Sequence, residues 1–301
     1  MTGLGHDRTS GSSEVAQALL AELETWAATD ASASPPALRA ALLAFLRGAQ
    51  AAQPSMALVH QLAARALSVA DAGVARGDSV VELRAQLARS CAAERDDLAA
   101  SRQAVARTAA RLVTERNGWI ATLSASAAVR EAAFELQRAG REPRALVGEG
   151  RPRLEGREQA AALARAGVPV WLVTDAALAL LVSQARVVWL GADAVTDRGV
   201  LNKVGSFALA LAAREHGVPV YALAGRRKFL PASTTALRIA EMPGAEVWDA
   251  PPPGVQARNV YFEVVPLELL RGVVVEDEVL GATEAAQLAR ERELPEALRE
   301  A

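Results

Sequence analysis

The sequence predicts an α/β protein in which a helical bundle domain over residues 1–115 precedes a mostly parallel sheet over residues 116–301. Two observations predict this fold class. The first third of the chain is rich in alanine and leucine, and its apolar residues recur at helical spacing without β-branched clusters. From Trp119 onward, short apolar runs alternate with helical stretches, which is typical of parallel strands buried on both faces.

Four helices are predicted in the N-terminal part. The first begins near Ser13 and ends at the helix-breaking segment SASPP, residues 32–36. The other three are predicted over residues 37–47, 55–69 and 79–113. Because the apolar residues lie three and four positions apart, each helix is expected to bury one face against the others.

The second part is predicted to alternate strands with helices. The predicted strands are apolar runs at residues 119–123, 145–147, 170–174, 187–190, 218–223 and 259–265. The predicted helices lie at residues 127–139, 158–166 and 203–216, and the tail from Ala282 is also predicted to be helical. Gly167 and Gly217 each follow a helix and precede a strand, where glycine commonly ends a helix.

Length and charge limit the classes of function. The chain has 301 residues, 51% of them hydrophobic, and a formal net charge of -2, which suits two domains. The absence of a basic stripe argues against direct nucleic-acid binding, and no polybasic membrane patch stands out. Without a signal-peptide pattern or an apolar stretch of about 18 residues, no membrane association is expected. We therefore expect a soluble, cytoplasmic protein.

The single cysteine, Cys91, excludes an intramolecular disulfide and a multi-thiolate metal site. It lies in the helical run LARSCAAERD, where a buried side chain is far more common than a nucleophile. The three histidines are far apart and lack metal-ligand spacing. No metal and no other cofactor is predicted.

Polar loops follow several predicted strands, at the edge where open parallel sheets bind ligands. Ser124 and Ser126 separate a strand from a helix, and the free backbone N–H groups at such a helix start favour phosphate. Simple capping of the helix by either serine is the competing interpretation. Asp193 directly follows a buried strand and can act as an acid or base when desolvated. The competing interpretation is an aspartate that caps a turn.

Asn202 and Lys203 follow Asp193 within one loop. Lys203 is expected to open the next helix, where the helix dipole disfavours a lysine unless an anion offsets it. We therefore predict a site for a phosphorylated small molecule here. Residues 226–228 (RRK) form a cation cluster after another strand, and phosphate binding and a solvated loop are equally good interpretations of it. Arg151 can also pair with a phosphate, but alone it is a weak signal.

The segment VVWLGADAVTDRGVLNKVGSFALALAAREHGVPVYALAGRRKF, with VPVWLVTDAA before it, resembles one protein family. That family joins the regulatory alpha, beta and delta subunits of eukaryotic translation initiation factor 2B with aldose–ketose isomerases acting on methylthioribose 1-phosphate or ribose 1,5-bisphosphate. The resemblance covers roughly residues 117–266. It implies a helical N-terminal domain and a Rossmann-like C-terminal domain. It also implies a homodimer or higher homo-oligomer formed through the C-terminal domain.

The resemblance assigns roles to individual residues. Asp193 matches the aspartate that, in the isomerases, moves protons on an opened sugar phosphate. Asn202 and Lys203 match an N-K pair that helps to hold phosphate. Arg151 lies in the segment that the isomerases write as E-T-R-P…G, and Ser126 matches the serine of their T-H-C-x-S motif.

The chain also departs from the isomerase pattern. Ser124 stands where the isomerases have their cysteine, and Leu123 replaces the histidine before it. Gln53 replaces a phosphate-binding arginine, and residues 9–12 (TSGS) lie where the isomerases have an R-G-A motif. A serine hydroxyl has a pKa far above the value of about 8.5 for a thiol, so Ser124 cannot shuttle protons at neutral pH without an added base.

Three functions remain open. The leading hypothesis is a family member that binds a sugar phosphate or nucleotide, lacks the cysteine-dependent chemistry and acts through assembly. The second is an active aldose–ketose isomerase on a ribose phosphate, and the third is a purely structural subunit with a vestigial crevice. The candidate catalytic residues are Asp193 and Ser124. The candidate ligand-binding residues are Ser124, Ser126, Arg151, Asn202 and Lys203.

Overall fold

The computed structural model describes residues 3–5, 10–234 and 238–299, so Thr9 of the TSGS segment lies outside the described residues. The N-terminal part consists of helices α1 (Ser12–Thr29), α2 (Pro35–Ala52), α3 (Ala57–Arg76) and α4 (Val80–Arg111). The four predicted helices are confirmed, although α2 and α3 run further at their C-terminal ends than the sequence predicted.

The helix ends follow local capping chemistry. Ser34 caps α2 by accepting a hydrogen bond from the backbone N–H of Ala37 (3.4 Å). Ser79 and Glu82 form a capping box at the start of α4. Gly77 ends α3 in the left-handed conformation, with φ +79°. The helix therefore continues past residue 69, where we expected it to end, and ends at a glycine that adopts the left-handed conformation at little cost.

The second part alternates strands and helices as predicted. Its described strands are β1 (Trp119–Leu123), β2 (Arg144–Gly148), β3 (Val170–Val173), β4 (Ala185–Leu190), β5 (Ala194–Thr196), β6 (Gly199–Lys203), β7 (Val220–Leu223), β8 (Phe262–Val265), β9 (Gly272–Val274) and β10 (Val279–Leu280). Its helices are α5 (Ala127–Arg138), α6 (Glu155–Arg165), α7 (Asp175–Leu181), α8 (Ser206–Glu215) and α9 (Ala282–Arg290).

The main sheet has seven strands in the order β10-β9-β7-β4-β1-β2-β3. All neighbouring strands are parallel except β10, which pairs antiparallel with β9. The α/β fold with a mostly parallel, Rossmann-like sheet is therefore confirmed. Strands β9 and β10 were not predicted, because they are too short to show a clear apolar pattern in the sequence.

A second, antiparallel sheet of order β5-β6-β8 was not predicted. Its hairpin turn is held by the hydroxyl of Thr196, which accepts a hydrogen bond from the backbone N–H of Gly199 (3.2 Å). The expectation that Lys203 opens a helix is wrong, because Lys203 is the last residue of β6 and pairs with Phe262 of β8. The helix that follows, α8, begins only at Ser206.

The start of α8 finds its negative partner within the protein. The backbone N–H groups of Gly205 and Phe207 donate to Glu263 Oε1, at 2.8 Å and 2.7 Å. A carboxylate at this position satisfies orphan donors and interacts favourably with the helix dipole. We expected a bound anion to offset the dipole at the start of this helix. In the structure, the carboxylate of Glu263 has that role.

Helix α4 connects the helical bundle to the sheet. Its N-terminal half contributes Leu83 and Leu87 to the apolar core shared by α1, α2 and α3. Its C-terminal half places Val105 and Ala109 in a second cluster with Trp189 of the central strand β4. Because one continuous helix belongs to both cores, it fixes the position of the bundle relative to the sheet. In this position the start of α1 lies at the carboxyl ends of the strands.

Cys91 lies in the core of the bundle and is a free, buried thiol. Burial raises the pKa of this thiol to about 11, so it carries little thiolate at neutral pH. The expectation of a buried helix cysteine is confirmed. Within the described ranges, no helix is both long enough and apolar enough to cross a membrane.

Candidate functional site

A crevice of about 240 Å³ opens at the carboxyl ends of β1 and β4. These strands are neighbours in the middle of the sheet, with β2 and β3 on one side and β7 on the other. The point at which the strand order reverses is where open parallel sheets bind ligands. The start of α1 and the loop between α2 and α3 complete the lining, so both parts of the chain contribute to the crevice.

The crevice brings together most of the residues that the sequence analysis selected. Its lining includes Ser124, Ser126, Asp193, Asn202 and Lys203. Arg151 is exposed, and its guanidinium donates a long hydrogen bond to the carbonyl oxygen of Val247 (3.4 Å). It does not belong to the lining of the crevice.

Ser124 has a left-handed backbone, with φ +64°, and its side chain is buried in the crevice wall. This conformation costs a non-glycine residue roughly 1–2 kcal/mol. The backbone N–H of Ser124 donates to the carbonyl oxygen of Gly148 (3.3 Å). A Cβ at Gly150 would lie 3.1 Å from Ser124 Oγ, so the glycine leaves room for the hydroxyl.

Ser126 caps a helix and also lines the crevice. Its hydroxyl accepts a hydrogen bond from the backbone N–H of Val129 (3.4 Å) and so caps α5, as the simpler interpretation expected. The same residue lines the crevice next to Gly191, where an added Cβ would lie 2.9 Å from Ser126 Oγ. A glycine at position 191 therefore lets the two loops approach closely.

Asp193 is only 9% exposed, and its backbone is held by two parts of the fold. Its N–H donates to the carbonyl oxygen of Leu201 (2.8 Å), and its carbonyl oxygen accepts from the N–H of Ala57 (2.9 Å). Burial raises the pKa of Asp193 to about 6, although Lys228 and Lys203 oppose this rise. A carboxyl group with such a pKa can both accept and donate a proton near neutral pH.

Lys203 is buried and has a carboxylate partner that the sequence analysis missed. Its Nζ donates to Glu155 Oε1 at 2.7 Å, and the two side chains are 6% and 10% exposed. The ammonium also lies 4.7 Å from the ring centre of Tyr261, within the range of a cation–π interaction. The neighbouring Asn202 donates from Nδ2 to Ser206 Oγ (2.9 Å). The charge of Lys203 is thus already balanced inside the crevice.

A second lysine, Lys228, enters the crevice from the turn after β7. Its Nζ donates to Ser12 Oγ (2.8 Å) and to the carbonyl oxygen of Ala192 (2.6 Å). Burial lowers the pKa of Lys228, while the Asp193 carboxylate opposes this effect. The two oxygen atoms that accept hydrogen bonds from Lys228, a hydroxyl and a carbonyl oxygen, are neutral. Lys203, in contrast, is held by a carboxylate.

The other two cations of the RRK segment form ion pairs elsewhere. Arg226 pairs with Asp277 (2.8 Å) and Glu278 (2.7 Å). Arg227 pairs with the buried Glu94 of α4. Lys228 alone of the three lines the crevice. The sequence pattern shows a cluster, but not which of its members faces inward.

Gln53, which stands at the place of a phosphate-binding arginine in the isomerases, lines the crevice. Its Nε2 donates to the carbonyl oxygen of Leu4 (2.8 Å), so it holds the N-terminal segment. Among the residues that the structure describes, no group of three His, Cys, Asp or Glu side chains is placed to hold a metal ion.

Comparison with known proteins identifies related sequences. A family model described as "Initiation factor 2 subunit family" matches residues 8–281. The "Putative translation initiation factor eIF-2B subunit 2-like" of Pyrococcus furiosus is 34% identical over 159 residues, which are 52% of this chain and 55% of that protein. The methylthioribose-1-phosphate isomerase of Citrobacter koseri is 32% identical over 210 residues, covering 64% of this chain and 60% of that enzyme. The chain thus matches somewhat over half the length of each of these relatives.

A solved structure shows the same fold over nearly the whole chain. The translation initiation factor eIF-2B of Pyrococcus horikoshii OT3 superposes with a TM-score of 0.78. The alignment covers 92% of this chain and 94% of that protein, at 24% sequence identity. At this identity the likeness supports the fold and carries no conclusion about the ligand.

The raised pKa of Asp193 predicts a pH-dependent stability. Its folded-state pKa of about 6 lies above the ordinary value of 3.8, so the folded state binds the proton more tightly than the unfolded state. The stability from this proton is complete below about pH 4 and is lost as pH rises to about 6, at about 1.4 kcal/mol per pH unit. Because an asparagine cannot ionise, Asp193→Asn is expected to gain a few degrees in unfolding midpoint relative to the parent between about pH 4.5 and 7.

Thermal unfolding of both proteins across this pH range measures the difference. The matched control is Asp97→Asn, because Asp97 is an exposed aspartate on α4, paired with Arg227 at 3.0 Å. The unfolding midpoint of Asp97→Asn relative to the parent should not rise with pH in this way. If the difference in unfolding midpoint between Asp193→Asn and the parent is the same at every pH, the burial of the Asp193 charge is contradicted.

Proposed function

The chain belongs to the initiation factor 2 subunit family, and we propose that its crevice binds a phosphorylated sugar or nucleotide without catalysing cysteine-dependent isomerisation. The observation that carries the proposal is the pair of lysines, Lys203 and Lys228, which both act on the buried Asp193 carboxylate. Two cations around one buried carboxylate, in a crevice at the strand ends, suit a small ligand that has both a phosphate and hydroxyl groups.

The resemblance implies that Asn202 and Lys203 help to hold phosphate, but Lys203 is paired with Glu155, so we propose instead that the phosphate lies at the Lys228 end of the crevice. An ammonium has three donors, and Lys228 uses two of them on Ser12 and Ala192. Helix α1 begins at Ser12 beside this ammonium, and the one carboxylate of its first turn, Glu14, is half-exposed and pairs with Arg130 at 3.6 Å. A helix start with free N–H groups next to a lysine favours an anion.

The residues of the crevice do not include a thiol. Cys91, the single cysteine of the chain, packs in the bundle core, and Ser124 lines the crevice where the resemblance places the isomerase cysteine. A hydroxyl needs a neighbouring base to move protons at neutral pH. We therefore propose that Ser124 and Ser126 contribute hydrogen bonds to the ligand, and that Asn202 and Lys203 form the far end of the site.

Binding should depend on Lys228. A charge-assisted hydrogen bond contributes about 1.5–3 kcal/mol, so Lys228→Gln is expected to weaken binding of ribose 5-phosphate by about tenfold or more. Isothermal titration calorimetry measures this change after a thermal-shift screen of ribose phosphates and nucleoside monophosphates. The matched control is Arg226→Gln, which removes one positive charge from the same turn but outside the crevice lining.

An equal loss of affinity in both variants would contradict the placement of the phosphate at Lys228. No thermal shift with any ribose phosphate or nucleoside monophosphate would count against the ligand site as a whole. In that case the family fold would serve a purely structural subunit, as the third hypothesis holds.

A second candidate function is aldose–ketose isomerisation of a ribose phosphate. The relatives named methylthioribose-1-phosphate isomerase favour it, as does the pKa of about 6 at Asp193. Isomerisation requires one group that removes a proton from a carbon and one that exchanges a proton with an oxygen. In this chain Asp193 would have to act with a relay that includes Ser124.

Direct assay with methylthioribose 1-phosphate and ribose 1,5-bisphosphate separates the two functions. The binding proposal predicts no turnover above the enzyme-free rate. Any turnover that falls at least about a hundredfold in Asp193→Asn would establish the isomerase instead, because general acid–base catalysis contributes about that much or more. Turnover that is undiminished in Asp193→Asn would exclude the catalytic role proposed for this residue.

We also propose that the chain forms a homodimer. Exposed apolar side chains support this proposal, notably Trp171 (48% exposed) and Leu172 (44%) on the edge strand β3 and Leu180 (76%) on α7. Exposed apolar side chains near an unpaired sheet edge are a common feature of association surfaces.

The molar mass in solution tests the dimer. Light scattering at micromolar concentration should give twice the chain mass for the parent, and Leu180→Asp should shift the mass toward that of one chain. The matched control is Val81→Asp, which changes a side chain that is 75% exposed on α4 in the helical part. A parent that is monomeric at this concentration would contradict the proposal.

A further inference from the structure

We propose that Glu155 makes the crevice selective for a ligand with a single phosphate, because it reserves the Lys203 end for a neutral, hydroxyl-bearing part of the ligand. This inference rests on the proposed function, since it assigns the two ends of the same crevice. Its basis is a difference between the two lysines: a carboxylate holds Lys203, whereas neutral oxygen atoms hold Lys228.

The Lys203–Glu155 pair is shielded from water. Its Nζ–Oε1 distance is 2.7 Å, and the side chains are 6% and 10% exposed. A phosphate that reached Lys203 would have to displace Glu155 and leave its carboxylate buried without a partner. Removing the partner of a buried charge is far more costly than breaking an exposed pair. The positive charge of Lys203 is therefore not available to a second phosphate.

The Glu155 carboxylate has unused capacity to accept hydrogen bonds. Its Oε2 is buried and has no hydrogen-bond partner in the part of the chain that the structure describes. A Cβ at Gly150 would lie 3.1 Å from this oxygen and 3.1 Å from Ser124 Oγ, so both atoms border the same small space. An ionised carboxylate only accepts hydrogen bonds, so it favours ligand groups that donate them. Sugar hydroxyl groups donate hydrogen bonds, whereas a fully ionised phosphate offers acceptors only.

The position of Asp193 adds to this selectivity. The negative charge of Glu155 reaches Asp193, and Lys203 and Lys228 act on the same carboxyl group in the opposite sense. The four side chains together carry two positive and two negative charges when they are ionised, and the half-exposed Glu14 adds a further negative charge that acts on Lys228. One phosphate at Lys228 leaves the Lys203 end balanced, whereas a second phosphate there would add negative charge beside two carboxylates.

Calorimetric titration of the parent and of Glu155→Gln with ribose 5-phosphate and ribose 1,5-bisphosphate tests the proposal. The parent should bind the monophosphate more tightly than the bisphosphate. Glutamine keeps the size of the side chain but removes the competing charge, so Glu155→Gln should bind the bisphosphate about tenfold more tightly than the parent does. Its affinity for the monophosphate should not rise in the same way, because the hydroxyl groups of that ligand lose an ionised acceptor at this position.

Two further variants make the test specific. Glu14→Gln removes another crevice carboxylate, one that is 46% exposed at the start of α1, and should leave the preference for the monophosphate in place. Adding Lys203→Met to Glu155→Gln should return the bisphosphate affinity to the parent value, because the gain comes from the freed Lys203. Thermal unfolding of each variant confirms that it is folded.

The possible failures are distinguishable. If the parent prefers the bisphosphate, or if Glu155→Gln changes both affinities equally, the role of Glu155 is overturned while the proposed binding function stands. If the gain survives Lys203→Met, Glu155 does not act through Lys203 and the inference is again overturned. If neither sugar phosphate binds the parent or Glu155→Gln, the proposed function fails and the inference fails with it.

Discussion

The ammonium of Lys228 joins the two parts of the molecule at the point where the crevice forms. It holds Ser12, the first residue of α1, against the carbonyl oxygen of Ala192, which follows β4. The helical bundle thereby closes over the carboxyl ends of the strands. The Ser12 hydroxyl also donates a longer hydrogen bond to the same carbonyl oxygen (3.4 Å), so Lys228 strengthens a direct link between the start of α1 and this loop. The crevice is thus a product of both parts of the chain.

The charges of the crevice show how the protein supports ionised groups that are largely removed from water. Lys203 has a direct carboxylate partner in Glu155, whereas Lys228 is hydrogen-bonded to neutral oxygens and interacts with Asp193 through space. A buried ion pair contributes little net stability, because desolvation offsets the attraction between the charges. The arrangement is therefore better explained by recognition of a polar ligand than by a contribution to folding.

The sequence predicted the site residues that follow strands, because a polar residue directly after an apolar run is a local signal. Ser124 and Asp193 are of this kind. The partner of Lys203 was not predictable in this way, since Glu155 lies 48 residues away and meets it only in the folded chain. The expectation that Lys203 opens a helix was wrong, because β6 ends in two polar residues, Asn202 and Lys203, and such an ending resembles a loop before a helix more than a strand.

The backbone at Ser124 bears on the choice between a binding site and a vestigial crevice. Its left-handed conformation is unfavourable for serine by roughly 1–2 kcal/mol. The hydrogen bond to Gly148 and the space beside Gly150 hold the residue there, with its side chain in the crevice wall. A structural subunit has no need for this strain or for two lysines beside a buried carboxyl group. Together, the strain at Ser124 and the buried charges support the proposed ligand site over a vestigial crevice.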